Sequence, residues 1–126
     1  MTTRFIIGRY YSRIEIAAKV KGALQWYLPT YNREIVAICL RKSHNPKAPN
    51  VVFCGFGKRI EKTGEWLSRE TRSLPVFVKE ESNRWKYYGL FKVKSSCTKG
   101  PAFKREVAGS KNPASISRVV FLERAR

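Results

Sequence analysis

Residues Phe77 to Lys94, FVKEESNRWKYYGLFKVK, decide the fold, because they hold the longest strand-like run in the chain. From Trp85 onward, Trp85, Tyr87, Gly89, Phe91 and Val93 alternate with Lys86, Tyr88, Leu90, Lys92 and Lys94. Successive side chains of an extended chain point to opposite faces, so the first set forms an apolar side and the second a mostly cationic one. Such a strand suits a nucleic-acid-binding sheet, and it equally suits a half-buried strand whose lysines face water. Leu74 to Val78 begins a hairpin, Glu80 to Asn83 forms its turn, and Trp85 to Lys94 is the return strand.

Outward from the hairpin, the rest of the chain reads as short strands and two helices. Arg4 to Gly8, RFIIG, is a first strand. Ser12 with Glu15 three residues later has capping-box spacing, which predicts a helix with Ile14, Ala17 and Ala18 as its apolar stripe and Gly22 as its stop. In QWYLPTY, Gln25 to Tyr31, three aromatics surround Pro29, which fixes a loop with Trp26 toward the core and Tyr27 and Tyr31 toward a ligand. Glu34 to Leu40 is a nearly continuous apolar run, as expected of a central strand buried on both faces. Val51 to Phe56 is a further strand. Lys58 to Glu70 is a helical segment with Ile60 and Leu67 inward, interrupted at Gly64, with Thr63 capping a second turn that contains Trp66. Ser95 to Pro113 reads as a mobile basic loop, and Arg118 to Glu123 as a last buried strand.

Mostly antiparallel strands with two helices predict an α+β fold, a small curled sheet or open β-barrel, over a single domain spanning residues 1–126. The chain carries 26 Lys and Arg against 9 acidic residues, a formal net charge of +17. Self-repulsion of that size points to a polyanionic partner, with DNA or RNA ahead of a membrane surface.

The acidic residues are all glutamate, which weighs against metal-dependent nucleases and phosphotransferases, whose ions are usually held by carboxylate clusters rich in aspartate. His44 is the one histidine, and Cys39, Cys54 and Cys97 form no CxxC pair, so neither a zinc site nor a cofactor is expected. Gly55 to Lys58, GFGK, lacks the upstream glycine and the following Ser or Thr of a phosphate-binding loop. Scattered thiols, the absence of a long apolar run and a start without a signal-peptide core predict a cytoplasmic, reducing location and no membrane span.

The helix after the first strand, QWYLP, the VVFCGFG strand end, FVKEESNRWKYYGLFKV and the terminal RVVFLE together resemble the PUA-like superfamily. More narrowly, they are similar to its EVE, YTH and SRA-like reader domains, which occur alone or fused to HNH restriction nucleases. That resemblance implies recognition of a modified base, DNA before RNA, flipped into an aromatic pocket. It makes Tyr27, Tyr31, Trp66, Trp85 and Tyr87 the candidate walls, with Trp26 next, and Asn32 and Ser82 candidate hydrogen-bonding groups. Arg9, Arg13, Lys19, Lys21, Arg41, Lys42, Lys47, Lys86, Lys92, Lys94, Lys104 and Arg105 are then the phosphate contacts.

SRA-type pockets commonly read the cytosine edge with an acidic residue, and the missing aspartate is a departure from that pattern. No HNH histidine pair and no nuclease carboxylate set is present, so the domain is expected not to be an enzyme, with any cutting left to a fused domain or partner. Two other readings fit the same basic composition. One is a small metal-independent ribonuclease using His44 or a Lys/Glu pair, and the other is a general RNA-binding module whose aromatics are core.

Overall fold

A computed structural model describes residues 5–125. Its elements in chain order are β1 (Tyr10–Tyr11), α1 (Arg13–Val20), β2 (Thr30–Tyr31), β3 (Glu34–Ile35), β4 (Ile38–Arg41), β5 (Val51–Cys54), α2 (Lys58–Ser68), β6 (Leu74–Glu81), β7 (Arg84–Cys97), α3 (Pro101–Ala108) and β8 (Arg118–Arg124), with a 3-10 turn at Pro113–Ser115. The main sheet runs β4-β6-β7-β8-β5, with β1 also on β7. Only β4 and β6 are parallel; the other ladders of this sheet are antiparallel. The result is an open, mixed α+β sheet with three α-helices where two were expected.

β7 organises the molecule. It turns back from β6 through Ser82 and Asn83, a two-residue connection in which Asn83 takes the left-handed conformation at φ 53°. The predicted alternation of burial holds from Trp85 to Lys94, but the core that the buried residues serve changes along the strand. Val76 pairs with Gly89 but Phe77 pairs with Tyr87, leaving Tyr88 as an extra residue, and a second irregularity falls between Val93 and Ser95. Each bulge bends the strand and moves the following residues to the other face. Trp85 and Tyr87 therefore pack in one core with Tyr11, Ile16 and Phe77, whereas Phe91 packs in another with Leu67, Leu74 and Val76. Cys97 reaches a third, under Val107 and Val119. One strand thus feeds three cores, and each core has a helix over it.

The core of Phe91 and Leu67 lies beneath α2, which runs unbroken through Gly64 to Ser68. Thr63 does not cap a second turn; its hydroxyl donates back to the carbonyls of Arg59 and Ile60, both at 3.1 Å. Leu67 is fully buried and Ile60 half-buried, as read from the sequence. The core of Trp85 and Tyr87 lies beneath α1, whose capping box forms as predicted. Ser12 Oγ accepts from the Glu15 backbone at 3.1 Å, and Glu15 Oε1 accepts from the Ser12 backbone at 2.8 Å. Gly22, at φ 86°, ends the helix where a Cβ would stand 2.9 Å from that of Pro29.

The expected stripe of α1 is corrected. Ile14 is exposed, and Arg13, Ile16 and Val20 face the sheet instead, at the i, i+3, i+7 spacing of one helical face. Reading Arg13 as a solvent cation hid that face. The expected first strand is also absent: residues 5–8 are coil and turn, with Arg4 outside the described residues, and Tyr10–Tyr11 takes the pairing to β7.

Glu34 to Leu40 is not one central strand. Asn32 and Arg33, both at positive φ, turn β2 onto β3 as a separate small hairpin. β4 then lies at the sheet edge, yet Ile38, Cys39 and Leu40 are buried on both faces. The Tyr27 carbonyl, accepting from the Cys39 amide at 2.8 Å, partly covers that edge. Finally, the expected loop from Ser95 to Pro113 contains the end of β7 and then α3. Gly100 and Pro101, read as breakers, stand at the start of this helix, where proline's missing N–H and fixed φ are no hindrance.

Candidate nucleic-acid interface

A cleft of about 1320 Å³ opens between loops and the strands β4, β5, β6 and β7. Its walls come from the segment after α1 (Leu24 to Tyr27), the β4–β5 connection (Arg41 to Pro46), the end of β5, the β6–β7 turn and the segment after α3 (Gly109 to Asn112). Loops held by a rigid sheet are the usual place for binding residues.

The first wall is fixed from α1. A terminal nitrogen of Arg13 donates to the carbonyl of Ala23 at 2.8 Å and to that of Trp26 at 2.9 Å, pinning the chain between them. The guanidinium carbon lies 5.0 Å from the centre of the Trp85 ring, and the Lys79 ammonium lies 5.8 Å from it. Trp26 is half-buried and carries the Arg59 guanidinium 4.6 Å from its ring centre. Tyr27 donates from its hydroxyl to the Ile60 carbonyl at 3.3 Å, joining this wall to α2.

The second wall is fixed by Asn45, which is buried. Its side-chain oxygen accepts from the Phe53 amide at 2.8 Å and its side-chain nitrogen donates to the Arg41 carbonyl at 3.3 Å. The loop from Arg41 is thereby held in a turn, which leaves Arg41, Lys42 and His44 exposed at the cleft.

Five cations line the cleft, namely Arg13, Arg41, Lys42, Lys79 and Lys111, and among the described residues no carboxylate does. Cys39 and Cys54 also border it, but burial pushes their thiols up to about 12 and about 11. Burial likewise raises the Tyr27 phenol. These groups stay protonated at neutral pH, so neither cysteine is a nucleophile there. Among the described residues no group of three or more His, Cys or acidic side chains is arranged to hold a metal ion, and no helix is long and apolar enough to cross a membrane.

Of the residues singled out in the sequence, the cleft gathers Tyr27, Trp85, Ser82 and Trp26, together with Arg13, Arg41 and Lys42. It leaves the others elsewhere. Tyr87 is buried in the core beneath α1. Tyr31 is exposed on β2, with the Lys21 ammonium 5.4 Å from its ring, and Asn32 forms the β2–β3 turn. Trp66 borders a separate hollow of about 230 Å³ with Arg33, Arg69 and Arg72. Lys47 pairs with Glu106 at 2.9 Å, and Lys86 is half-buried with its ammonium 5.5 Å from the Tyr88 ring. Arg9, Lys19, Lys21, Lys92, Lys94, Lys104 and Arg105 are exposed outside the cleft.

Sequence reasoning missed Lys79, Asn83 and Lys111 as cleft residues. A two-residue turn at Ser82 and Asn83 would have brought Lys79 near Trp85, but the irregularity between Lys79 and Glu81 sets their actual pairing.

The fold is an open, mixed α+β sheet with a cleft walled largely by loops. The chain is similar to the SUVH5 SRA domain, whose crystal structure is of a complex with hemimethylated CG DNA. The TM-score is 0.64 at 15% identity over 98% of this chain and 91% of that one, a likeness of fold. By sequence, the chain belongs to the family described as Domain of unknown function (DUF6697), whose model matches residues 10–108. No curated protein matches it.

Proposed function

We propose that this domain binds DNA and reads a modified base by taking it, extruded from the helix, into the cleft. The observation that carries this reading is a cleft of about 1320 Å³ lined by rings and cations, without a carboxylate, on a fold similar to that of a domain crystallised on hemimethylated DNA. An extruded base must recover its lost stacking from aromatic faces and its lost pairing from polar groups. Trp26 and Tyr27 supply the faces in this reading, and Ser82 and Asn83 the polar edge. Trp85 is 4% exposed, so its part is to support Arg13 and Lys79. Arg41, Lys42 and Lys111 hold phosphates at the rim, with exposed lysines of β7 and the α3 cations extending the track. The domain is a binding module; cleavage of bound DNA belongs to a separate domain or partner.

The test is binding to matched DNA and RNA duplexes, unmodified or carrying a single methylated or hydroxymethylated base, without added metal. A preference of about tenfold, about 1.4 kcal/mol, for one modification in DNA is the expected result. Salt-sensitive binding with no preference would leave a general nucleic-acid binder. Cleavage that disappears in His44→Ala would replace the reading with a ribonuclease.

A further inference from the structure

Arg13 is 9% exposed and always charged, yet among the described residues it has no ion-pair partner. Its two hydrogen bonds go to carbonyls, and its Nε has none. A buried cation without a counter-charge is costly and calls for an anion within its reach. Lys79 lies against the same Trp85 ring, adding a second charge of the same sign. No glutamate lines the cleft to answer either.

The same inventory bears on which base edge the cleft accepts. An exocyclic amino group is met best by a carboxylate, which the cleft lacks, although its hydroxyl and amide oxygens can still accept from one. A carbonyl or carboxylate needs donors, which Arg13, Lys79 and the amide and hydroxyl side chains of the β6–β7 turn offer.

Resting on the base-extrusion reading above, we infer that the cleft selects a pyrimidine bearing an anionic substituent, a carboxylate on the ring edge, over one bearing only a methyl group. The carboxylate supplies the counter-charge that Arg13 and Lys79 lack. The volume of about 1320 Å³ leaves ample room for a substituted base.

The experiment titrates the whole domain, at one fixed salt concentration, with duplexes carrying cytosine, 5-methylcytosine or 5-carboxylcytosine at a single internal position and no terminal phosphate. An unmodified duplex with a 5′-phosphate is the fourth ligand, and 2-aminopurine beside the test base reports unstacking. The expected result is binding about tenfold tighter to the carboxylated duplex than to the methylated one, about 1.4 kcal/mol, with a rise in 2-aminopurine fluorescence. Lys79→Glu is expected to abolish that preference and to improve binding of 5-methylcytosine relative to wild type. Arg13→Met is the direct variant, and because Arg13 also pins the Ala23 to Trp26 segment, Lys79→Glu carries the test where Arg13→Met fails to fold. Equal affinity for the three internal bases with a fluorescence rise in each overturns the anion assignment and keeps base extrusion. Absence of any fluorescence rise sinks both. Tighter binding that follows only the 5′-phosphate overturns the assignment in favour of strand-end recognition.

Discussion

Gly64 and Cys54 meet with no room between them: a Cβ at Gly64 would stand 3.1 Å from Cys54 Sγ and 3.3 Å from Cys54 Cβ. This contact seats α2 on β5 and so sets the distance at which Ile60 reaches the Tyr27 hydroxyl in the cleft wall. Alanine at position 64 would gain about 1 kcal/mol of helix propensity. Overpacking a core costs about 1 to 3 kcal/mol, and Cys54 is fully buried. Gly64→Ala is therefore expected to destabilise by about 1 kcal/mol, lowering Tm by about 4 °C. A thermal melt decides it, and a raised Tm would mean that the helix can ride up from the sheet.

Trp26 and Trp66 are equivalent by composition and opposite by position. Trp26 lines the large cleft, while Trp66 lies on α2 beside a different, small hollow. Trp26→Ala is expected to weaken binding to the preferred modified duplex by about tenfold or more, as loss of one stacking face costs about 1 to 3 kcal/mol. Trp66→Ala should leave modification preference unchanged. Paired binding curves separate the two, and an equal effect of both substitutions would contradict the assignment of the cleft.

Backbone contact has its own signature. Engagement of about six phosphates predicts that log K falls with log salt at a slope of about −5 on duplex DNA. Replacing both Lys42 and Lys111 with alanine should reduce the magnitude of that slope by about 2, equally for modified and unmodified duplexes. Titrations over a range of salt concentrations measure it. An unchanged slope would move the phosphate track off the cleft rim.

Glu70 gives a pH dependence remote from the cleft. Its carboxylate accepts from Arg72 Nε at 2.8 Å and Arg72 Nη2 at 2.7 Å, and also from the backbone of Thr71 and Arg72, which holds its pKa below the ordinary 4.5. A carboxyl whose pKa is depressed on folding stabilises the fold above its unfolded value. That contribution is lost as pH falls from 4.5 through the depressed folded value. Glu70→Gln is expected to cost up to about 1 kcal/mol at pH 7 and nothing in strong acid, because the pair is partly solvated. Urea melts of both proteins across that range test it, and a gap that persists in acid would assign the loss to packing.

Local signals were the legible ones. Ser12 and Glu15 announce a helix start because each satisfies the other's neighbourhood within one turn, and Phe77 to Lys94 announces a hairpin because both its strands are adjacent in sequence. Illegible were the features set by distant partners. Nothing near Tyr88 marks it as the residue that bulges; its place follows from how Val76 and Phe77 pair. Ile14 and Ile16 compete for one buried face of α1, and the choice is made by Trp85 far along the chain, which takes Arg13 against its ring. α3 was obscured by Gly100 and Pro101, residues that end helices and also begin them. The sequence reading ranked Trp66 above Trp26 as a pocket wall, the reverse of their positions, since a core ring and a pocket ring share the same residue type and spacing.

The central place of β7 has a kinetic consequence. It pairs with β1, β6 and β8, so ladders to residues near 10 and near 120 both wait on the same bent strand. In the main sheet only the β6–β7 ladder closes through a tight turn; its other ladders close longer loops before any contact repays their entropy. Folding should therefore be slow for a chain of this length, with the β6–β7 hairpin as its nucleus. Truncations at Val76 or Phe91 should slow refolding, whereas truncation at Val107, on the buried side of α3, should chiefly speed unfolding.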